Sequence, residues 1–175
     1  SDAATALAVQ ADGRIVVAGY THQAASGQDF LLLRYQADGT LDPTFAQGGI
    51  LVVPIGVEGD RAFAVAIQDD GKIVAAGESQ TGVNLTGQDF ALIRVLPDGT
   101  LDAGFGNGGK VVTSFGTSTD HLNTIVIQAD GKIVAAGDSD RGSTASGVDF
   151  ALARYRSDGT LDAGFGSGGK VTAAV

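Results

Sequence analysis

The chain has 175 residues, 43% of them hydrophobic, enough to build a core and too many for a disordered segment. A net charge of −9, with 11 basic residues that form no run, argues against nucleic acid as a partner, and zero Cys removes disulfides, thiolate catalysis and Cys-based metal sites. No stretch approaches the roughly 18 apolar residues of a membrane span and no basic leader precedes an apolar run, so neither membrane insertion nor a signal peptide is expected. Ser1 in the place of an initiator Met points to a processed or excerpted chain.

In chain order, VQADGRIVVAG (9 to 19) returns as IQDDGKIVAAG (67 to 77) and IQADGKIVAAG (127 to 137). Each copy continues to an Asp-Phe pair (Asp29-Phe30, Asp89-Phe90, Asp149-Phe150), then to DGTLD (38 to 42, 98 to 102, 158 to 162), then to a Phe followed by Gly-Gly. A period of about sixty residues signals an array of one supersecondary unit. The units divide the chain into 1–58, 59–118 and 119–175.

Within the second unit, AFAVAIQ (62 to 68), KIVAAG (72 to 77), DFALIRV (89 to 95) and KVVTSF (110 to 115) have the length and branched content of strands, and none is long enough for a helix. Asp70-Gly71 between the first two, repeated at Asp12-Gly13 and Asp130-Gly131, predicts a type I′ hairpin turn. The first run is small and apolar on both faces, as a crowded inner strand requires. The fourth is more polar and accepts Pro54, which suits an outer edge. These signals predict an all-β fold: a β-propeller of three four-stranded antiparallel blades, a partial ring closed by oligomerisation or by a longer parent chain. A β-helix competes, but its coils are much shorter and need no Asp-Gly hairpin.

The linked motifs Q-x-DGK-I-V-x-AG, DF-x-L-x-R and DGTLD-x-x-FG-x-GG resemble the bacterial delta-60 repeat, and the ending is similar, more distantly, to that of NHL-type propeller repeats. The resemblance spans nearly the whole chain. It implies a tandem module of large, often secreted or surface proteins, hence an extracellular or cell-envelope location, and it brings no catalytic residues. The first copy departs from it at Ala46, where the others carry Gly106 and Gly166.

Residues that recur in every unit read as structure. Arg34, Arg94 and Arg154, with Asp29, Asp89, Asp149 and Asp42, Asp102, Asp162, are expected to form one buried or half-buried ion pair and turn cap per blade, and the recurring Phe residues to fill the core. What varies reads as a binding rim. The loop after the second strand (YTHQAASGQ, ESQTGVNLTGQ, DSDRGSTASGV) and the linker after the fourth emerge on one face of an up-and-down blade, and such divergent loops on a fixed frame are where binding is commonly built. The candidates there are His22, Gln23, Glu58, Asp60, Arg61, Asn84, Asp120, His121 and Arg141. His22 and His121 are nonequivalent and have no partner at metal-ligand spacing. Asp138-Ser139-Asp140-Arg141-Gly142 lacks the third carboxylate and the distant Glu of a calcium loop. No nucleophile, base and orienting group stand at a recognisable spacing, so no catalytic residue, metal or cofactor is expected.

The sequence therefore reads as a non-catalytic propeller module, a structural, self-assembly or protein-binding scaffold. A carbohydrate-binding propeller is the alternative, although the loops lack the Trp that often stacks on sugars and only Tyr20 lies close. An enzyme with its site on the variable-loop face is a further alternative. The expected partners are another copy joined head to tail, two copies making six blades, or more repeats of a parent chain, with protein or glycan at the rim.

Overall fold

The computed structural model describes residues 1–80, 87–116, 119–140 and 147–174. Twelve strands run in chain order: β1 (Asp2–Val9), β2 (Ile15–Gln23), β3 (Gly27–Tyr35), β4 (Ile50–Val53), β5 (Glu58–Ile67), β6 (Ile73–Gln80), β7 (Asp89–Val95), β8 (Lys110–Thr113), β9 (Asp120–Ile127), β10 (Ile133–Asp140), β11 (Val148–Tyr155) and β12 (Lys170–Ala173). They form three four-stranded antiparallel sheets, each in sequential order, and the described residues contain no helix. This is a partial β-propeller of three blades. The first strands of successive blades, β1, β5 and β9, lie against one another, which puts them on the inner side of the fan. Pro54 follows β4 directly, so it ends the outer strand from outside the ladder.

Two apolar clusters fill the two spaces between blades. One joins Val16, Ala18, Phe30, Leu32, Phe45 and Val53 of the first blade to Ala62, Ile73, Ala75, Ala91, Ile93 and Val95 of the second. The other repeats it one blade later, with Phe90, Leu92 and Phe105 against Leu122, Ile133, Ala135, Ala151, Ala153 and Tyr155. Period-2 alternation produces this arrangement directly. Along β6 and β7 one set of side chains faces the preceding blade and the other set the following one, so both faces must be apolar.

The Asp-Gly hairpins differ from the type I′ expectation. At the first, the Gly13 amide donates to the Gln10 carbonyl at 2.9 Å and the Gln10 amide to the Arg14 carbonyl at 2.8 Å, closing a three-residue loop. Gly13 has φ +84°, whereas among the described residues Ala46 is the sole non-glycine with positive φ, so Asp12 is not left-handed as type I′ requires. The turn is a type I turn with a glycine bulge, and the Asp12 side chain stabilises it by accepting from the Arg14 amide at 3.0 Å. The DGT segments use the same device, with Gly39 donating to Gln36 and Gln36 to Thr40.

Each first strand also carries a bulge, at Ala4/Ala6, Ala62/Ala64 and Leu122/Thr124. Opposite it stands Gly19, Gly77 or Gly137, where an added Cβ would come within 1.9 Å of a carbonyl oxygen of the first strand. The Ala-Gly that ends each copy of the motif is thus the space into which the bulge folds.

Candidate functional site

The recurring polar residues converge at the blade junctions. In the first blade Arg34 Nε donates to Asp42 Oδ2 at 2.8 Å, Nη2 reaches Thr44 Oγ1 at 3.3 Å, and the guanidinium lies 4.6 Å from the Phe45 ring centroid. The remaining nitrogen, Nη1, crosses to the second blade and donates to the Pro97 carbonyl at 2.5 Å. Beside it the Ala46 amide donates to the Asp98 carbonyl at 2.8 Å. The second blade does the same to the third: Arg94 pairs with Asp102 at 2.8 Å over Phe105, Nη1 donates to the Ser157 carbonyl, and the Gly106 amide donates to the Asp158 carbonyl at 2.8 Å. Arg suits this post because its planar fork bonds a carboxylate and a carbonyl at once while its face covers a ring.

The expected ion pair and turn cap are therefore present for Arg34, Arg94 and Arg154 with Asp42, Asp102 and Asp162. Asp42 Oδ1 accepts from the Thr44 hydroxyl and amide, which with Arg34 hold its carboxyl below the usual range. Burial works to raise Asp102 and Asp162, but the amides of Gly104 and Gly164 and the guanidiniums of Arg94 and Arg154 outweigh it and lower both. The cation of the first hairpin joins in, Arg14 Nε at 3.0 Å from Asp42 and Lys72 Nζ at 3.6 Å from Asp102.

Asp29, Asp89 and Asp149 do not belong to that pair. Asp29 is buried and accepts from Ser26 Oγ at 2.6 Å, and its charge bears on Asp60 of the next blade, as that of Asp89 bears on Asp120. Asp60 and Asp120, read from the sequence as rim binders, are fully buried. Asp60 accepts from the Ile55 and Gly56 amides at 2.6 and 3.0 Å and from Ser79 Oγ at 2.5 Å, and Asp120 from the Phe115 amide at 2.7 Å. They pin the linker entering each blade and present nothing to a ligand. Asp2 and Thr21, at 2.5 Å, occupy the matching place in the first blade. Burial, and then the neighbouring carboxylates, push Asp60 and Asp120 above the ordinary carboxylate range.

The connections after even-numbered strands do share one rim. The Val57 amide donates to the Gln80 carbonyl, the Asp120 amide to the Gln88 carbonyl, and Arg61 Nε to Gln28 Oε1 at 2.8 Å. Between the second and third blades it carries a cluster that the repeat does not supply. Glu78, buried at the end of β6, lies 2.6 Å from half-exposed His121 Nδ1 and 3.6 Å from Arg61 Nη1. With its amide oriented to donate, Gln88 stands 2.7 and 3.0 Å from the two Glu78 oxygens. Glu78 is absent from the sequence-based candidates because it looks like the first residue of a loop; its signal is the column Tyr20, Glu78, Asp138, which varies at a strand end. His22, Gln23 and Glu58 are exposed on this rim, and Asn84 and Arg141 lie outside the described residues. Asp138, Ser139 and Asp140 belong to β10. Among the described residues no group of three or more His, Asp or Glu side chains is placed to hold a metal ion. Chemically, Glu78 orients the His121 imidazole, and its oxygens are taken up by its own neighbours.

Sequential four-stranded blades, a bulge glycine in each and one Arg-to-carbonyl bridge per junction define a β-propeller repeat protein. The sequence model of the family described as "Domain of unknown function (DUF5122) beta-propeller" matches residues 10–45, 68–105 and 128–165, more than half of the chain. The chain belongs to that family. No curated protein matches it at a significant level.

Proposed function

We propose that this chain is a non-catalytic propeller scaffold, whose work is to dock blades of its own kind and carry a variable rim. The observation that supports this most is how the recurring chemistry is used: every Arg-Asp-Phe set in the first two blades is committed to the next blade's DGT turn. Recurring functional groups in an enzyme would face a substrate. Here they face backbone.

The test separates frame from rim. Arg94→Ala, which cuts a junction, is expected to lower the unfolding temperature clearly, whereas Glu78→Gln with His121→Ala leaves the fold and solution mass intact. Turnover abolished by His121→Ala would contradict the non-catalytic reading, and saturable rim-dependent glycan-array binding would favour the lectin alternative.

A further inference from the structure

The two outer faces of the fan are the two halves of the junction found twice inside it. On the third blade Phe150 is 65% exposed, whereas Phe30 and Phe90 at the same position are fully buried by the blade that follows. Arg154 keeps the in-blade half of the bridge, 2.9 Å from Asp162 and 4.6 Å from the Phe165 centroid. Its side chain is 23% exposed, against 4% for Arg34 and 7% for Arg94. Gly166 holds the place of Ala46 and Gly106, whose amides donate across the internal junctions.

The first blade offers the receiving half. An apolar recess of about 130 Å³ is lined by Ala4, Val17, Leu31 and Leu33. These occupy the positions of Ala62, Ala75, Ala91 and Ile93, which share a cluster with Phe30 inside the fan. The carbonyls of Ala37 and Asp38 occupy the positions of Pro97 and Asp98, the acceptors used by Arg34 and Ala46. Leu7 and Val9, whose counterparts Ile125 and Ile127 pack against the preceding blade, are exposed beside the recess.

We propose that this surface pair is an interface with a second copy of the chain, joined head to tail: Phe150 enters the Ala4–Val17–Leu31–Leu33 recess, Arg154 Nη1 donates to the Ala37 carbonyl and the Gly166 amide to the Asp38 carbonyl. A second copy fits because the face it presents is the one that already covers these positions twice within the chain. One clip is missing from the seam. Lys110 and Lys170 reach back to the carbonyls of Pro54 and Ser114 at the internal junctions, and Ile50 stands at that position in the first blade. Making the seam twice gives a C2 pair with six blades and no open face. The inference rests on the scaffold reading and can fail without it.

The experiment is sedimentation of the whole chain at micromolar concentration. The expected mass is twice 17.5 kDa or a larger multiple. Phe150→Asp and Val17→Glu each break one half of the seam, and each variant alone is expected at the monomer mass with an unchanged far-ultraviolet spectrum. Mixed, they still share one intact half each and are expected to pair, as only a head-to-tail contact allows. A folded wild-type monomer, or variants that associate as the wild type does, would overturn the seam and leave the effect of Arg94→Ala on stability standing.

Discussion

Arg34 and Pro97 are sixty-three residues apart in the chain and 2.5 Å apart in space, guanidinium to carbonyl. One side chain thus ties the last turn of its own blade, through Asp42, to the same turn of the next. The replacement Arg94→Lys at the second junction tests what that geometry is worth. A lysine keeps the charge but not the fork, so it cannot serve Asp102, the Ser157 carbonyl and the Phe105 face together. A loss of about 1–3 kcal/mol is expected in urea denaturation, because a buried acceptor is left under-satisfied. A change within error would show that the bridge adds nothing beyond charge.

Among the described glycines of the second blade, Gly77 has the least room for a side chain. An alanine there would place its Cβ 1.9 Å from the Arg61 carbonyl oxygen, and backbone must move to admit it. Gly77→Ala is expected to destabilise by about 1–3 kcal/mol or more, as overpacking does. Gly116→Ala, at a glycine with open space around it and no positive φ, is the control and is expected to be nearly silent. Equal unfolding midpoints for the two would show that the bulge does not need a glycine at this position.

Ala46 holds φ +45° where its counterparts are glycines at +54°. The left-handed region costs an L-residue about 1–2 kcal/mol, partly offset because glycine has more freedom to lose on folding. Ala46→Gly is therefore expected to raise stability, by about 0.5–1 kcal/mol, read from the denaturation midpoint. A lower midpoint would contradict the strain.

Two sets of carboxylates have opposite pH behaviour. Asp42, Asp102 and Asp162 have folded values below the ordinary 3.8, so the stability they contribute is present above 3.8 and lost as pH falls through the folded values that lie below 3.8. Asp60 and Asp120 have folded values above it, so their contribution is full below 3.8 and lost as pH rises through the raised values. Asp60→Asn keeps the shape and removes one titration. Thermal unfolding between pH 4 and 7 is expected to show a smaller decline for this variant with rising pH than for the wild type, and parallel curves would refute the assignment.

The period, the strand lengths and the blade architecture are legible in the sequence because alternation and turn residues repeat in register. So is the structural role of the Arg and Asp42 columns, since identical copies in each blade suit a frame. Other features escape for identifiable reasons. Asp60 and Asp120 sit near the start of a strand beside variable linker, so they read as part of the rim, and only burial separates them from it. Asp29 recurs as faithfully as Asp42, but recurrence does not say which partner a carboxylate faces. The hairpin type depends on the φ of Asp12, which the dipeptide Asp-Gly leaves open. Glu78 and His121 come from strands of different blades, at positions whose residue changes from copy to copy, so only the fold brings them together.

The seam is tested most directly by a crystal structure of the chain at near-atomic resolution. Phe150 of one copy is expected buried against Val17 and Leu31 of another, with the Arg154 guanidinium on the Ala37 carbonyl as Arg34 is on that of Pro97. A structure in which every Phe150 faces solvent and every Arg154 turns away from a neighbouring blade would contradict it.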